Sequence, residues 1–548
     1  MPKQKKRKFI FVVGGVMSGV GKGITSASLG LILKSKGYKV TALKIDPYVN
    51  IDAGTMNPIE HGEVFVTNDG DETDQDMGNY ERFLDIDLSS ENYMTTGRIY
   101  MKVIEDERSM KYKGKCVQVV PHIPLEVIRR IKNAAEKQDA DITIIEIGGT
   151  VGEYENILFL EAARMMKLKN PKSVAMVLVS FLPVPHHIGE MKTKPTQHAA
   201  RSLASAGLNA DMIFARGPEP LDKPRKEKLA THCGIELKNC ISAPDVKSIY
   251  EIPINFEKEN VGNKVLKILG LGSKKTDLSD WNNKVIEKLK NGKKELEIAI
   301  IGKYFGTGNF TLSDSYISVI EAIKHAAWAN GAKVKLNWID SEKFEKNKKN
   351  TKELKKYNAI IVPGGFGTRG VEGIINCIEY ARINKIPYLG LCYGMQLATI
   401  EFIRNVLNKK DATTVEVDPN AENPVIHINL DQAKNIKADK YGGTMRLGAY
   451  NCKIEKNSKT FKAYKTEEIS ERHRHRYEFN NFYKEEMDKA GLKVVGINPE
   501  SNLVEIVELK DHPFFVGVQF HPEFKSRPTK AHPLFNYFIK IALEQIKK

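Results

Sequence analysis

The sequence predicts an α/β protein of two domains, each a mainly parallel sheet flanked by helices. Three observations lead there. Apolar runs of strand length, each closed by glycine or a polar turn, alternate with helical patterns. The alternation breaks once, at the polar, lysine-rich stretch 271–294, and then restarts. The chain has 548 residues, 41% of them hydrophobic and 28% charged, the composition of a soluble globular protein large enough for more than one core.

In the first half the strand candidates are FIFVVGG (9–15), VTALKID (40–46), DITIIEIGG (141–149), SVAMVLVSF (173–181) and ADMIFAR (210–216). Continuous rather than alternating apolar residues imply strands covered on both faces, as in a parallel sheet. The joint holds one short amphipathic helix at most. The second half opens with LEIAIIGKY (296–304), then a helical pattern at 313–331, NAIIVPGG (358–365), YLGLC (388–392) and FFVGVQF (514–520). The domains are therefore set at 1–271 and 295–548, with a linker at 272–294. Between 341 and 357 lie seven lysines and no arginine, which reads as a solvated helix or loop.

Lysine and arginine number 84 against 68 acidic residues, a formal charge of +16, which leaves nucleic acid, an anionic membrane or small polyanions as partners. The apolar stretch near the N-terminus, 9–16, is far shorter than the roughly 20 residues of a membrane span, and the basic start MPKQKKRK lacks the features of a secretory signal. Six cysteines without a CxxC pair argue against a zinc ribbon or a disulfide framework and favour a reducing cytoplasm.

The first strand runs into GGVMSGVGKGITSASLGLILKSKG, where glycines surround Lys22 ahead of a helix. Such a turn aims backbone N–H groups at phosphate oxygens, the helix start adds positive potential, and the lysine supplies a full charge. The usual GxxxxGK[ST] spacing is not met: Val16 takes the place of its first glycine, and Gly23 that of the hydroxyl residue that would hold magnesium. The metal must then be held elsewhere. Glu146 ends a strand, Asp74 and Asp76 lie in an acidic segment, and Asp76 with Glu146 is chemically sufficient for Mg2+. Lys44 and the run KTKPTQ (192–197) offer cations and hydroxyls for a second polyphosphate.

In the second half YLGLCYGMQ places Cys392 at a strand-to-helix turn, the thiol form of a nucleophile elbow, where the helix start lowers a thiol pKa. PGGFGTRG (363–370) offers N–H groups for an oxyanion, and GVQFHPE (517–523) ends a strand with His521 and Glu523, a base and its orienting carboxylate. Together they predict a Cys–His–Glu hydrolase. The run RHRHR (472–476) would repel a cation; a carboxylate or phosphate partner is the better reading, a solvated edge strand the alternative.

PGGFGTRG, GLCYGMQ and HPE together are similar to the class I glutamine amidotransferase domain. The first half resembles the synthetase domain of the cytidine triphosphate synthase family, with GGVMSGVGKGI, KIDPYVNIDAGTMNPIEHGEVFV, DGDETDQDMGNYERF, EIGGTVGEYE, KTKPTQH and DVKSIYEIP in family order. The resemblance covers essentially the whole chain. It implies a P-loop-like synthetase domain that uses ATP and Mg2+ to phosphorylate the 4-oxygen of UTP, and an amidotransferase domain that hydrolyses L-glutamine. Ammonia passing internally then displaces the phosphate to give CTP. It further implies GTP activation, CTP feedback inhibition, a homotetramer, and neither nucleic-acid nor membrane partners.

By the same resemblance Ser18 is a pyrimidine-nucleotide contact, and Gly19, Val20, Gly21, Lys22, Gly23 and Ile24 cradle the ATP phosphates. Asp76 and Glu146 are metal ligands, Asp76 also lying near ATP, and Lys44 sits at the reacting phosphate. Glu153, Tyr154 and Glu155 match the reading of CTP. Lys192, Thr193, Lys194, Pro195, Thr196, Gln197 and Lys228 match contacts shared by UTP and CTP, and Pro244, Asp245 and Val246 the adenine side. Gly365, Tyr393, Gly394, Met395, Gln396, Glu416 and Arg476 match the glutamine pocket, with Glu416 suited to the substrate ammonium. His232 and Tyr154 depart from the family pattern near the inhibitory cytosine. Tyr393 replaces a common leucine and is expected to act mainly through its backbone. Another ATP-dependent amidotransferase would lack KTKPTQ, and a partition-type ATPase would leave Cys392, His521 and Glu523 unexplained.

Overall fold

The computed structural model describes residues 6–57, 61–187, 189–303, 306–307, 310–311, 313–428 and 443–546. The first five residues of the basic start, positions 58–60 of the motif at 44–66 and Tyr304 lie outside that set. The chain divides into two compact units, 1–52 with 76–282 and 53–75 with 283–548.

The first unit is built on seven parallel strands in the order Tyr93–Thr95, Val40–Asp46, Ile142–Ile147, Lys8–Gly15, Val174–Phe181, Met212–Gly217 and Cys240–Pro244. Every residue of Val40–Asp46 and of Ile142–Ile147 is buried, the charged Lys44, Asp46 and Glu146 included, as in a sheet covered on both faces. The two edge strands escape a reading by apolar run because one has three residues and the other, CISAP, ends in proline. Helix Lys22–Ser35 follows the first strand directly and is buried along most of its length, so the turn between them is fixed at both ends. Near the joint, Ser279–Trp281 begins a helical stretch that continues through a π-helical turn to Asn291. Trp281 packs on Phe83 and Tyr250, with ring centroids 5.2 and 5.8 Å away, and its indole N–H donates to the Tyr250 carbonyl at 3.0 Å.

The main sheet of the second unit has nine strands. Ala332–Asp340, Lys294–Gly302, Ala359–Val362, Tyr388–Leu391 and Phe515–Val518 are parallel. Val504–Leu509, Leu492–Ile497, Arg446–Ile454 and Glu468–His475 extend the sheet antiparallel. Apolar cores cover both faces of the parallel part. The lysine-rich 341–357 segment forms the short helices Glu342–Lys346 and Lys348–Lys356, anchored by buried Phe344 and Leu354.

Residues 53–75, placed by the sequence within the first domain, belong to this second unit. They form a hairpin of Phe65–Val66 with Glu72–Thr73, whose composition reads as a loop because the strands are two residues long. Arg472, fully buried, donates to Asn68 Oδ1 at 2.6 Å and to the Val66 carbonyl at 3.1 Å, and Arg474 donates to Glu72 Oε1 at 2.8 Å. The Glu63 carboxylate accepts from Ser318 N–H at 3.1 Å at the start of helix Ile317–Ala329, a favourable place for negative charge.

Close backbone approach fixes the hairpin tip. Gly448 has φ +90°, and a Cβ there would lie 2.7 Å from the Gly70 nitrogen and 2.8 Å from the Asn68 oxygen. Gly448→Ala is therefore expected to destabilise by about 2 kcal/mol or more, from positive φ and overpacking combined. An unchanged urea midpoint would show that the hairpin does not pack there.

Candidate active sites

In the first unit the phosphate-loop sequence forms the expected strand–turn–helix. Gly19 and Gly21 have φ +70° and +92°, and Val16 keeps a glycine-like φ of +80° at the position where the standard motif has glycine. A β-branched residue in that region is strained, the kind of conformation found at ligand-binding loops. Ser18 is exposed at the loop tip, Val20 is buried beneath it, and Gly21 and Ile24 share a cavity of about 190 Å³ with Pro244, Asp245 and Val246. Arg216, Ile252 and Phe256 line the same cavity and carry no sequence signal that marks them.

The missing hydroxyl has a steric explanation. A Cβ on Gly23 would sit 1.9 Å from Asp76 Oδ1, so a serine or threonine there collides with the carboxylate. Lys44 Nζ contacts Asp76 Oδ2 at 2.5 Å and Glu146 Oε1 at 3.1 Å, with Asp46 Oδ1 at 3.8 Å. Tyr80 donates to Glu146, and Lys22 Nζ to the Gly149 carbonyl at 2.7 Å. Burial raises Glu146 and pushes Asp46 up to about 6. Burial also works against the Asp76 charge, but Lys44 prevails and holds it below the ordinary carboxylate range. Burial lowers the Lys22 ammonium, opposed by Glu146. Three carboxylates against two lysines form an oxygen-rich donor set with an excess of negative charge, which suits a hard divalent cation.

The run 192–197 opens helix Lys194–Ser205, with Thr193 at its cap position and Pro195 in its first turn. Thr196 Oγ1 meets Ser180 Oγ at 2.8 Å, and Gln197 donates to Thr193 at 3.1 Å, so these side chains are held from behind. Lys192 pairs with Glu190 at 2.7 Å, Lys194 donates to Gln197 at 3.3 Å, and Lys228 is exposed on helix Lys223–Cys233. Glu153 accepts from Thr150 Oγ1 at 2.5 Å, whereas Tyr154 is 90% exposed and Glu155 is exposed. Asp74 belongs to the second unit and lies 3.9 Å from His61.

In the second unit Cys392 has φ +49° and ψ −99° between strand Tyr388–Leu391 and helix Tyr393–Asn405, the backbone of a nucleophile elbow. His521 Nδ1 is 2.7 Å from Glu523 Oε1. Burial pushes the imidazolium down, but the charges of Glu523 and Cys392 outweigh it and raise His521 to about 10. Gly364 allows this approach, since a Cβ there would lie 2.7 Å from His521 Cε1. Gln519 Nε2 donates to the Cys392 sulfur at 3.6 Å, and the thiol faces the Arg474 carbonyl at 3.9 Å. One cavity of about 770 Å³ brings Cys392, His521 and Glu523 together with Gly365, Gln396, Glu416 and Arg476.

Tyr393, Gly394 and Met395 do not line that cavity. Gly394 lets the elbow approach Val362, its carbonyl accepts from Tyr388 at 2.8 Å, and Met395 packs on Gly517. Tyr393 does more than the backbone role expected of it: its hydroxyl donates to the Gly367 carbonyl at 2.9 Å. The RHRHR run has a carboxylate partner, Glu72 on Arg474, and forms an edge strand that is largely buried rather than solvated. Residues 54–57 of the early segment also line the cavity. They could be placed there only through the contacts of the hairpin.

Residues 8–271 match the family model described as CTP synthase N-terminus, and residues 311–541 match that of the class-I glutamine amidotransferases. The CTP synthase of Caldanaerobacter subterraneus subsp. tengcongensis is 49% identical over 98% of this chain and 98% of its own. That of Carboxydothermus hydrogenoformans is 50% identical over 98% and 99%. The chain belongs to the CTP synthase family. Among solved structures, the glutaminase domain of the Trypanosoma brucei CTPS with bound acivicin is 37% identical, covering 45% of this chain and 94% of that one, at a TM-score of 0.41. Among the described residues no helix is long and apolar enough to cross a membrane.

Two expectations follow for this CTP synthase family member. Gly23→Ser restores the hydroxyl of the standard motif but drives into Asp76, so ATP-dependent synthesis should fall by about 100-fold or more while glutamine hydrolysis persists; normal synthesis would refute the steric account. Because folding raises the His521 pKa, its contribution to stability is fully present below about 6.5 and is lost as pH rises through about 10. Glu523→Gln removes the carboxylate that supports the imidazolium. The alkaline limb of kcat/KM for glutamine hydrolysis should then move down by about one unit or more, and an unmoved limb counts against the pairing.

Proposed function

We propose that this chain aminates UTP to CTP with nitrogen from glutamine, in de novo pyrimidine nucleotide synthesis. In the first unit, ATP lies on the loop Gly19 to Ile24, with its adenine toward Pro244 to Val246 and Lys22 supplying positive charge. Asp76 and Glu146 would hold Mg2+, which supplies charge neutralisation on the transferring phosphoryl group. UTP lies against Ser18, Lys44 and the 192–197 run, with Lys228 at its edge. Its 4-oxygen takes the γ-phosphoryl of ATP, which converts a poor leaving group into a good one. Ammonia attacks C4 and phosphate departs.

In the second unit Cys392 attacks the glutamine side-chain carbonyl, with His521 giving its proton to the leaving ammonia. The thioester is then hydrolysed to glutamate. Glu416 takes the substrate ammonium, with Gly365, Gln396 and Arg476 around the remainder. Ammonia passes to the first unit internally, where it escapes protonation by bulk water. GTP as activator, CTP as inhibitor read near Glu153, Tyr154 and Glu155, a homotetrameric assembly and a cytoplasmic site of action complete the proposal; His232 and Tyr154 are where CTP sensitivity would differ.

The observation that carries this reading is the Asp76 carboxylate seated where a phosphate loop would otherwise hold its own hydroxyl ligand. The two nitrogen sources separate the two chemistries. Cys392→Ala is expected to make CTP from ammonium at high pH but not from glutamine, and Lys22→Ala to hydrolyse glutamine without making CTP. Loss of both nitrogen sources in the first variant, or normal synthesis in the second, would undo the division of labour.

A further inference from the structure

The turn 363–370 is rich in glycine, and a peptide next to glycine flips at little cost because glycine accepts either sign of φ. Gly367 has φ +81°. A flip would turn a carbonyl toward a developing oxyanion where an N–H is required. Something must hold these peptides, and the second unit contains it.

The Gly367 carbonyl accepts from Lys303 Nζ at 2.6 Å and from the Tyr393 hydroxyl at 2.9 Å. The preceding peptide is held at both ends: its carbonyl, on Phe366, accepts from Lys303 at 3.3 Å, and its N–H, on Gly367, donates to Glu416 Oε1 at 2.6 Å. The Lys303 ammonium lies 4.4 Å from the Tyr393 ring centroid, and Arg369 donates to the Lys303 carbonyl. Lys303 follows strand Lys294–Gly302, and Tyr393 opens the helix after the nucleophile, so the clamp joins two parallel strands to the turn between them. Lys303 and Tyr393 are both buried, where each unpartnered carbonyl would cost about 1–3 kcal/mol.

We infer that Tyr393 and Lys303 are positioning residues that pin peptides 366–367 and 367–368 and thereby keep the adjoining Gly364–Gly365 wall aimed at Cys392. Tyr393 has a double place in this arrangement. Its main-chain N–H follows the nucleophile, the usual position of one oxyanion donor, while its side chain fixes the turn that offers the other. This inference rests on reading Cys392 as the glutaminase nucleophile.

Tyr393→Phe keeps the ring against Lys303 and removes the hydroxyl. In the full-length enzyme, kcat for glutamine hydrolysis, normalised to ammonium-supported CTP formation by the same preparation, should fall about three- to tenfold with KM little changed. Lys303→Met, which removes the bonds to both carbonyls, should fall further. An unchanged normalised kcat in Tyr393→Phe overturns the inference, as does an effect confined to KM. If Tyr393→Phe proves unstable, an unchanged normalised kcat in Lys303→Met overturns it equally. Failure of the underlying reading looks different: Cys392→Ala would then still make CTP from glutamine.

Discussion

Complete burial of Arg472 removes a guanidinium from water, which is tolerable only where acceptors are supplied in the interior. The hairpin at 65–73 supplies them through Asn68 and Val66, with the Phe65 ring 5.3 Å from the guanidinium carbon. The same strand meets Cys392 and His521 through its main chain. The Arg472 carbonyl accepts from His521 N–H at 2.8 Å, and the Arg474 carbonyl lies at the Cys392 sulfur. Side chains of this strand thus hold a segment from the beginning of the sequence while its backbone contacts both Cys392 and His521.

Between these arginines His473 and His475 are buried, with His473 Nδ1 2.9 Å from His475 Nε2. Burial and the nearby Arg446 charge hold both well below the ordinary histidine range, so they are neutral. Arg446 pairs with Glu505 at 2.6 Å and approaches Glu478 at 3.6 Å. Burial pushes Glu478 up to about 8 despite Arg446. Two carboxylates facing one guanidinium then need not both ionise, and the neutral histidines add no charge behind the His521 imidazolium.

The first unit solves a related problem with the opposite sign. Its carboxylates gather around Lys44 at the carboxyl ends of parallel strands, where open α/β sheets present ligand sites. The loop itself gives up a hydroxyl to make room for Asp76. A carboxylate from another element thus stands where the standard motif carries its hydroxyl.

The large elements were legible because long apolar runs can be buried in few ways, and the placement of Cys392, His521 and Glu523 because each follows a strand that reads plainly. Strands Tyr93–Thr95 and Cys240–Pro244 and the antiparallel half of the second sheet were not, since short or mixed-polarity strands become strands only when a neighbour completes their hydrogen bonds. Arg216 and Gln519 carry no local pattern that separates them from other polar residues. By itself, then, the sequence determined the α/β class, the family resemblance and the strand–turn–helix placement of Lys22 and Cys392, all local in register. Only the tertiary structure decided that 53–75 belongs with the second unit, that Asp76 displaces the hydroxyl at Gly23, and that Tyr393 reaches Gly367. Each depends on atoms distant in sequence meeting at van der Waals or hydrogen-bond range, which neither periodicity nor spacing encodes.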